Sequence, residues 1–174
     1  MRKRFKTVAT GGTFDILHEG HYALLSRSFQ LGERVIIGIT SDEYALKEKG
    51  CQTILHGYDK RARQLERAIH SKFGGVKYTI SKLENFYGPT VLSNEVEAIV
   101  ASQETKGNGI KINKLRKKIG LKLLRIITVP LIKSEDGLRL SSSRIRSGEI
   151  DSTGKLLKKI KNSRGCVVLD SSRF

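Results

Sequence analysis

The chain has 174 residues, 38% of them hydrophobic, which is enough for one domain with a buried core and short for two. Thirty-three Lys and Arg against 17 Asp and Glu give a formal charge of +16, so polyanionic partners are expected. No apolar run reaches the ~18 residues of a membrane span, and the N-terminus passes from basic residues into a short strand pattern with no apolar leader, so neither a membrane protein nor an exported one is expected.

Phe5 to Thr10 is a short run with β-branched residues that stops at Gly11-Gly12, the pattern of a buried strand ending in a tight turn. From Gly20 the spacing becomes helical through Tyr22, Leu24, Leu25, Ser28 and Phe29, with Gly32 placed as a C′ glycine. Arg34 to Thr40 is a nearly continuous apolar run, as in a strand covered on both faces. Strand, helix and strand within about 35 residues make a βαβ unit. The alternation continues. Asp59 to Ser71 sets Leu65, Ala68 and Ile69 on one helical face, Val76 to Leu83 alternates as a third strand, and Glu97 to Ser102 is a fourth. A basic helix follows over Ile110 to Ile119, and Leu123 to Ile132 reads as a fifth strand. The fold class expected is a single α/β, doubly wound, Rossmann-like domain with a five-stranded parallel sheet, in which ligands bind beyond the carboxyl ends of the strands. Asp151 to Phe174 reads as a basic C-terminal extension, with Lys155 to Asn162 suited to a short amphipathic helix and Cys166 to Asp170 to a sixth strand or a docked tail. Cys51 and Cys166 lack metal-ligand spacing and form no disulfide scaffold, which suits a reducing cytoplasm.

The first βα turn holds two glycines, Thr13-Phe14-Asp15 and two histidines, His18 and His21. It is neither a P-loop nor a dinucleotide fingerprint, since GGTFDILHEG has neither glycine spacing, and HEGH is one residue short of the zinc-protease pair. What remains is a turn whose amides approach a ligand at Gly11 and Gly12, followed by imidazoles on the first turn of a helix. That end of a helix already favours anions, and the imidazoles add directed donors to phosphate oxygens. Late in the chain Ser141-Ser142-Ser143 precedes Arg144-Ile145-Arg146, hydroxyls able to cap a helix and bind a triphosphate beside an arginine suited to phosphate oxygens.

Thr13 to His21 resembles the T-x-x-x-x-H-x-G-H signature of the nucleotidyltransferase superfamily with HIGH-type motifs, and Leu140 to Arg146 resembles its later I-S-S-[ST]-x-I-R motif, about 120 residues on. Within that superfamily the chain is most similar to the archaeal-type phosphopantetheine adenylyltransferases, related to the adenylyltransferase domain of eukaryotic CoA synthase. The likeness runs from about Lys6 to Asp151 through VATGGTFDILHEGH, GITSDE, YGPT, AIVASQET, the IN..R pattern at Ile112, Asn113 and Arg116, Gly120-Leu121 with Leu124, and LSSSRIRSGEID. Leu140 stands where the family has Ile or Val, and Ala101 where it has Val.

The resemblance implies a nucleotidyltransferase domain over residues 1–150 and a reaction in which ATP, with Mg²⁺, transfers its adenylyl group to 4′-phosphopantetheine, giving dephospho-CoA and pyrophosphate. The attacking phosphate is already ionised, so catalysis would rest on in-line positioning and charge neutralisation. By resemblance, His21 is the transition-state residue and His18 its phosphate-binding partner. Thr13 and Phe14 meet both substrates. Ser141, Ser142, Ser143 and Arg146 hold the β- and γ-phosphates, and Glu104 contacts the adenine or ribose. Either Lys47 or Lys49 binds the acceptor phosphate. Asp15 holds the turn through backbone amides. Other acceptors, such as FMN or nicotinamide mononucleotide, or CTP in place of ATP, would use the same motifs. Lys106 to Arg125 carries eight basic residues and no acid, which raises an RNA-binding alternative. That alternative leaves both motifs without a role, and no aromatic residues interleave the segment to stack bases, so nucleic acid is not the expected partner.

Overall fold

A computed structural model describes residues 3–49, 54–88, 92–157, 160–161 and 167–168. The chain divides into two compact units. The first comprises the N-terminus to Asp15 and His21 to Pro130, and the second comprises Ile16 to Gly20 and the chain from Leu131 onward.

The first unit carries β1 (Phe5–Gly12), α1 (Glu19–Leu31), whose first two residues belong to the second unit, β2 (Gly32–Thr40), α2 (Asp42–Lys49), α3 (Tyr58–Phe73), β3 (Lys77–Leu83), β4 (Ala98–Ser102), α4 (Lys106–Lys118) and β5 (Arg125–Val129). The five strands form one sheet in the order β3-β2-β1-β4-β5, and every pairing is parallel. This is the expected doubly wound α/β fold, with the winding direction reversing at β1.

Burial follows strand position. Central β1 buries four successive residues, Thr7 to Thr10, and β2 buries Val35 to Ile39, whereas edge strand β3 alternates exposed and half-buried side chains. Ala9, Ile36, Val96, Ile112 and Leu124 make one core cluster, with Phe86, Tyr87 and Ile99 packed against it. Elsewhere in the unit Phe29 of α1 meets Phe73 of α3 and Tyr78 of β3, with ring centroids 5.1 and 6.4 Å away.

Two glycine expectations are corrected. Gly11 and Gly12 are the last residues of β1, paired with Gly38 and Ile39, and not a turn. The left-handed residue of that connection is Phe14, at φ 52°. Gly32 does not end α1 in a left-handed cap. It opens β2, where a Cβ would stand 2.9 Å from Val8 Cγ2, so close packing of strand on strand excludes a side chain. The helix α2 follows β2 directly after Thr40, and the basic helix starts at Lys106, one turn earlier than its apolar spacing indicates.

The second unit is built on Leu140, Ile145 and Ile150, with Ile16 and Ile132 against them. It contains the short helix α5 (Ser142–Arg146) and the two-residue strands β6 (Ile160–Lys161) and β7 (Val167–Val168), which pair antiparallel with each other. The helix expected over Lys155 to Asn162 is therefore absent from its described part, where Leu156 bridges Ile150 and Ile160 starts a strand. The strand expected in Cys166 to Asp170 is present at Val167–Val168 but joins β6, not the main sheet. Cys51, Cys166, Pro89 and Thr90 lie outside the described residues. Among the described residues no helix is long and apolar enough to cross a membrane.

Candidate active site

Strands β1 and β2 stay paired to Gly12↔Ile39, but β1 and β4 pair only at Val8↔Ala98 and Ala9↔Ile99. Beyond that point β1 leaves β4, with one side-chain link, Thr10 Oγ1 donating to the Val100 carbonyl at 2.9 Å. A cavity of about 200 Å³ opens there, at the carboxyl ends of the strands and at the switch point of the sheet. Its walls include Ala9 to Thr13, Ile99 to Ala101, Thr40, Tyr44, Leu83, Phe86, Tyr87, Thr105 and Asn108. Aliphatic and aromatic surface dominates, a few hydroxyls and one amide supply polarity, and among the described residues no acidic one lines it.

Of the residues expected to bind ligand, Gly11, Gly12 and Thr13 line this cavity. A Cβ on Gly11 would reach within 3.0 Å of the Gly38 carbonyl oxygen, and one on Gly12 within 3.3 Å of the Phe14 ring, so both glycines are needed by packing as much as by any ligand. Phe14 is fully buried and lies 4.9 Å, centroid to centroid, from the His21 ring. A buried aromatic in the left-handed region costs backbone strain of order 1–3 kcal/mol, held here by its surroundings. The next residue supplies part of that hold: the Asp15 carboxylate accepts from Leu55 N at 3.1 Å and His56 N at 3.0 Å, and His56 Nδ1 lies 3.1 Å from the Asp15 carbonyl. Asp15 holds backbone amides as expected, although those of a segment 40 residues away.

Tyr44 of α2 lines the cavity and Lys47 stands three residues further along the same helix face, exposed. Lys49 is the last residue of α2, and its side chain lies outside the described positions. Glu104 is exposed in the turn between β4 and α4, next to the cavity-lining Thr105, which exchanges hydrogen bonds with Ser102: Ser102 N to Thr105 Oγ1 at 3.0 Å and Thr105 N to Ser102 Oγ at 3.2 Å.

In the second unit, His18 is buried at 7% exposure, and its Nδ1 accepts from Gly20 N at 3.1 Å, so its ring proton sits on Nε2 in the neutral form. A Cβ at Gly20 would stand 3.0 Å from two atoms of that ring, which is the physical reason for glycine between the histidines. Ser141 caps α5, its side chain accepting from Arg144 N at 3.4 Å, and Ser142 Oγ donates to the Ile16 carbonyl at 3.1 Å. The Ile16–Gly20 part of the early motif and the late motif thus meet within this unit. Ser143 is exposed and Arg146 half-buried. Arg144 is the anchor of the helix. Its guanidinium bonds Asp136, Ser134 Oγ at 2.6 Å and Glu149 at 2.9 Å. Hydrogen bonds from Arg144 first, and then from Ser134, hold the Asp136 carboxyl far below the usual carboxylate range.

Several residues behind the family likeness prove structural. Asn113 clamps the Leu124 backbone from both sides at 2.9 and 2.8 Å. Fully buried Arg116 donates to the carbonyls of Lys122 and Ser93, at 2.6 and 3.0 Å, and burial draws its basicity down. The basic segment is therefore not a uniform charged face. In GITSDE, Asp42 accepts from Tyr58 N at 3.1 Å and from Arg61 at 2.7 Å; burial raises its carboxyl, but Arg61 and the Tyr58 amide outweigh that and hold it below the usual range. Arg61 is itself wholly buried and was not singled out from sequence, though its place four residues before Leu65 on the apolar face of α3 marks it.

A parallel 3-2-1-4-5 sheet, a cavity at its switch point and two motifs rich in phosphate donors define a nucleotidyltransferase-type protein. Residues 9–148 match the Cytidylyltransferase-like family, and the chain belongs to that family. A phosphopantetheine adenylyltransferase of Methanothermobacter thermautotrophicus is 40% identical over 164 residues, covering 94% of this chain and 96% of that one. The enzyme of the same name from Pyrococcus horikoshii is 45% identical over 157 residues, covering 90% and 98%. A solved structure of a protein of unknown function from Archaeoglobus fulgidus superposes with a TM-score of 0.63 at 35% identity, covering 71% of this chain and 88% of that one.

Proposed function

We propose that the chain is a phosphopantetheine adenylyltransferase, transferring AMP from ATP to 4′-phosphopantetheine with release of pyrophosphate. The observation that carries this reading is the agreement of relatives, 40 and 45% identical and matched over 96 and 98% of their own length, on one named activity. The cavity supports the same acceptor. A pantetheine arm offers a gem-dimethyl group and methylenes to the aliphatic and aromatic walls, and its amides to Thr10, Thr40, Thr105 and Asn108. The cationic pyridinium of nicotinamide mononucleotide would meet no acidic wall among the described residues there.

Roles follow the family likeness, residue by residue. His21 steadies the charge that develops at the α-phosphate, and His18 donates from Nε2 to a phosphate oxygen. Gly11, Gly12, Thr13 and Phe14 hold the first turn against substrate. Ser141, Ser142, Ser143 and Arg146 bind the outer phosphates, and Glu104 the nucleoside. Lys47 is the acceptor-phosphate lysine, because helical spacing sets it on the Tyr44 side of α2. Mg²⁺ would arrive coordinated by the phosphates of ATP, whose charge it helps neutralise. A reducing cytoplasmic setting and a domain spanning 1–150 with a basic extension over 151–174 complete the reading.

The test is an acceptor panel. With ATP and Mg²⁺, 4′-phosphopantetheine should be adenylylated, identified by the mass of dephospho-CoA, while FMN and nicotinamide mononucleotide should not. Adenylylation of either alternative in preference to 4′-phosphopantetheine would overturn the acceptor assignment.

A further inference from the structure

Arg61 stands in the first turn of α3 with none of its surface exposed, and its side chain reaches four groups on three stretches of chain. Nη1 donates to the Thr13 carbonyl at 2.6 Å, Nη2 to the Thr40 carbonyl at 2.8 Å and to Asp42 Oδ1 at 2.7 Å, and Nε to the His56 carbonyl at 2.9 Å. Burying a guanidinium costs several kcal/mol before its bonds are counted, and an apolar residue would anchor the helix without that cost. The planar fork does what an apolar side chain cannot: it holds several carbonyl and carboxylate oxygens at fixed separations.

The backbone explains why those oxygens need fixing. The β1–β2 ladder ends at Gly12↔Ile39, so Thr13 and Thr40 lie one step past the last paired residues. On its other side β1 has already parted from β4. Arg61 extends the β1–β2 connection by that one step with a side chain, holding the Thr13 end of β1 on the β2 side of the opening. Thr13 and Thr40 both line the cavity, and Asp42 opens α2, which carries a further wall residue, Tyr44.

We propose that Arg61 is a positioning residue for acceptor recognition: one buried guanidinium sets the spacing of the β1 end, the β2 end and α2 around the cavity. This rests on the reading that the cavity takes the pantetheine arm. A disturbed Arg61 then impairs use of the acceptor before use of ATP.

The experiment compares Arg61→Lys and Asp42→Asn with the parent by steady-state kinetics against each substrate, with thermal melting alongside. Lysine keeps the charge but not the fork, and the acceptor KM should rise on the order of 10- to 100-fold while the ATP KM, which Thr13 also touches, rises by a clearly smaller factor. Asp42→Asn, which loosens the α2 arm and the bond from Tyr58 N but leaves the Thr13, Thr40 and His56 bonds, should raise the acceptor KM by a smaller factor in the same direction, and carries the test if Arg61→Lys does not fold. Parental acceptor KM in the folded variant, or equal changes in both KM values, would overturn the proposal. If the parent rejects 4′-phosphopantetheine, the functional reading fails instead, and the same comparison is made with whichever acceptor it uses.

Discussion

Ser142 and Ile16 are separated by 126 positions and joined by one hydrogen bond, Ser142 Oγ donating to the Ile16 carbonyl at 3.1 Å. Through it the late serine-rich helix start and the stretch leading into His18 share one small folded unit, so a change in one motif is felt by the other. Ser142→Ala should lower stability by about 0.5–1.5 kcal/mol, the net worth of one such bond, and Ser142→Thr should restore most of it. Denaturant melts of the three proteins check this. Turnover of the alanine variant should fall by more than the stability loss predicts, because the hydroxyl is also assigned to the outer phosphates of ATP.

His21 is assigned the transition-state charge, and Phe14 supports its ring at 4.9 Å. His21→Ala should reduce kcat on the order of 10² to 10³, with ATP binding altered far less. Phe14→Leu keeps an apolar filling but removes the aromatic face, and should reduce kcat by a smaller factor while lowering the melting temperature. Single-turnover measurement of pyrophosphate release separates the two, since it isolates the chemical step. Parental release by His21→Ala would remove the residue from the mechanism.

Gly20 offers a case in which stability and activity should part. Alanine is favoured over glycine in a helix by up to about 1 kcal/mol, yet here its Cβ meets the His18 ring at 3.0 Å. Gly20→Ala should therefore leave the melting temperature close to the parent and reduce kcat/KM on the order of 10²-fold through a displaced imidazole. The ¹⁵N shifts of His18 report the cause directly, because the hydrogen bond from Gly20 N to Nδ1 fixes the tautomer and its loss would change that signature.

Much of this architecture is legible in the amino-acid pattern, for a physical reason. β2 is covered on both faces and so reads as a nearly continuous apolar run, β1 shows as a short stretch with β-branched residues, and the edge position of β3 shows in its alternation. The glycines are less readable, because a glycine needed for packing looks like one needed for a turn. Gly32 is held by Val8 and Gly11 by the Gly38 carbonyl, contacts made only after strands pair, while the left-handed residue of the first turn is a phenylalanine. The two buried arginines escape a reading by charge for a similar reason. Arg61 lies four residues before Leu65 and Arg116 four after Ile112, both on buried helix faces, so their spacing rather than their charge shows that they bond carbonyls inside the fold. Asp151 to Phe174 is short of regular apolar spacing, and the pairing of β6 with β7 has no local signal to announce it.

The ion-pair cluster behind α5 makes a pH prediction. Asp136 is held well below the ordinary aspartate value of about 3.9, first by its hydrogen bond with Arg144 and then by Ser134. In the unfolded chain the same carboxyl titrates at the ordinary value, so folding favours the ionised form. The stabilisation is complete above about pH 3.9, declines as acid protonates the unfolded chain while the folded carboxyl stays charged, and is gone once the pH falls through the lowered folded value. Asp136→Asn should therefore cost stability at neutral pH, and the gap between variant and parent should close only below the ordinary aspartate range. Urea melts at pH 7 and at steps below pH 4 would show the two curves converging, and carboxyl ¹³C titration of the parent should find Asp136 still ionised where other aspartates have protonated. A constant gap across the acid range, or an Asp136 that titrates with the rest, would mean that Arg144 is not held by this carboxylate in solution.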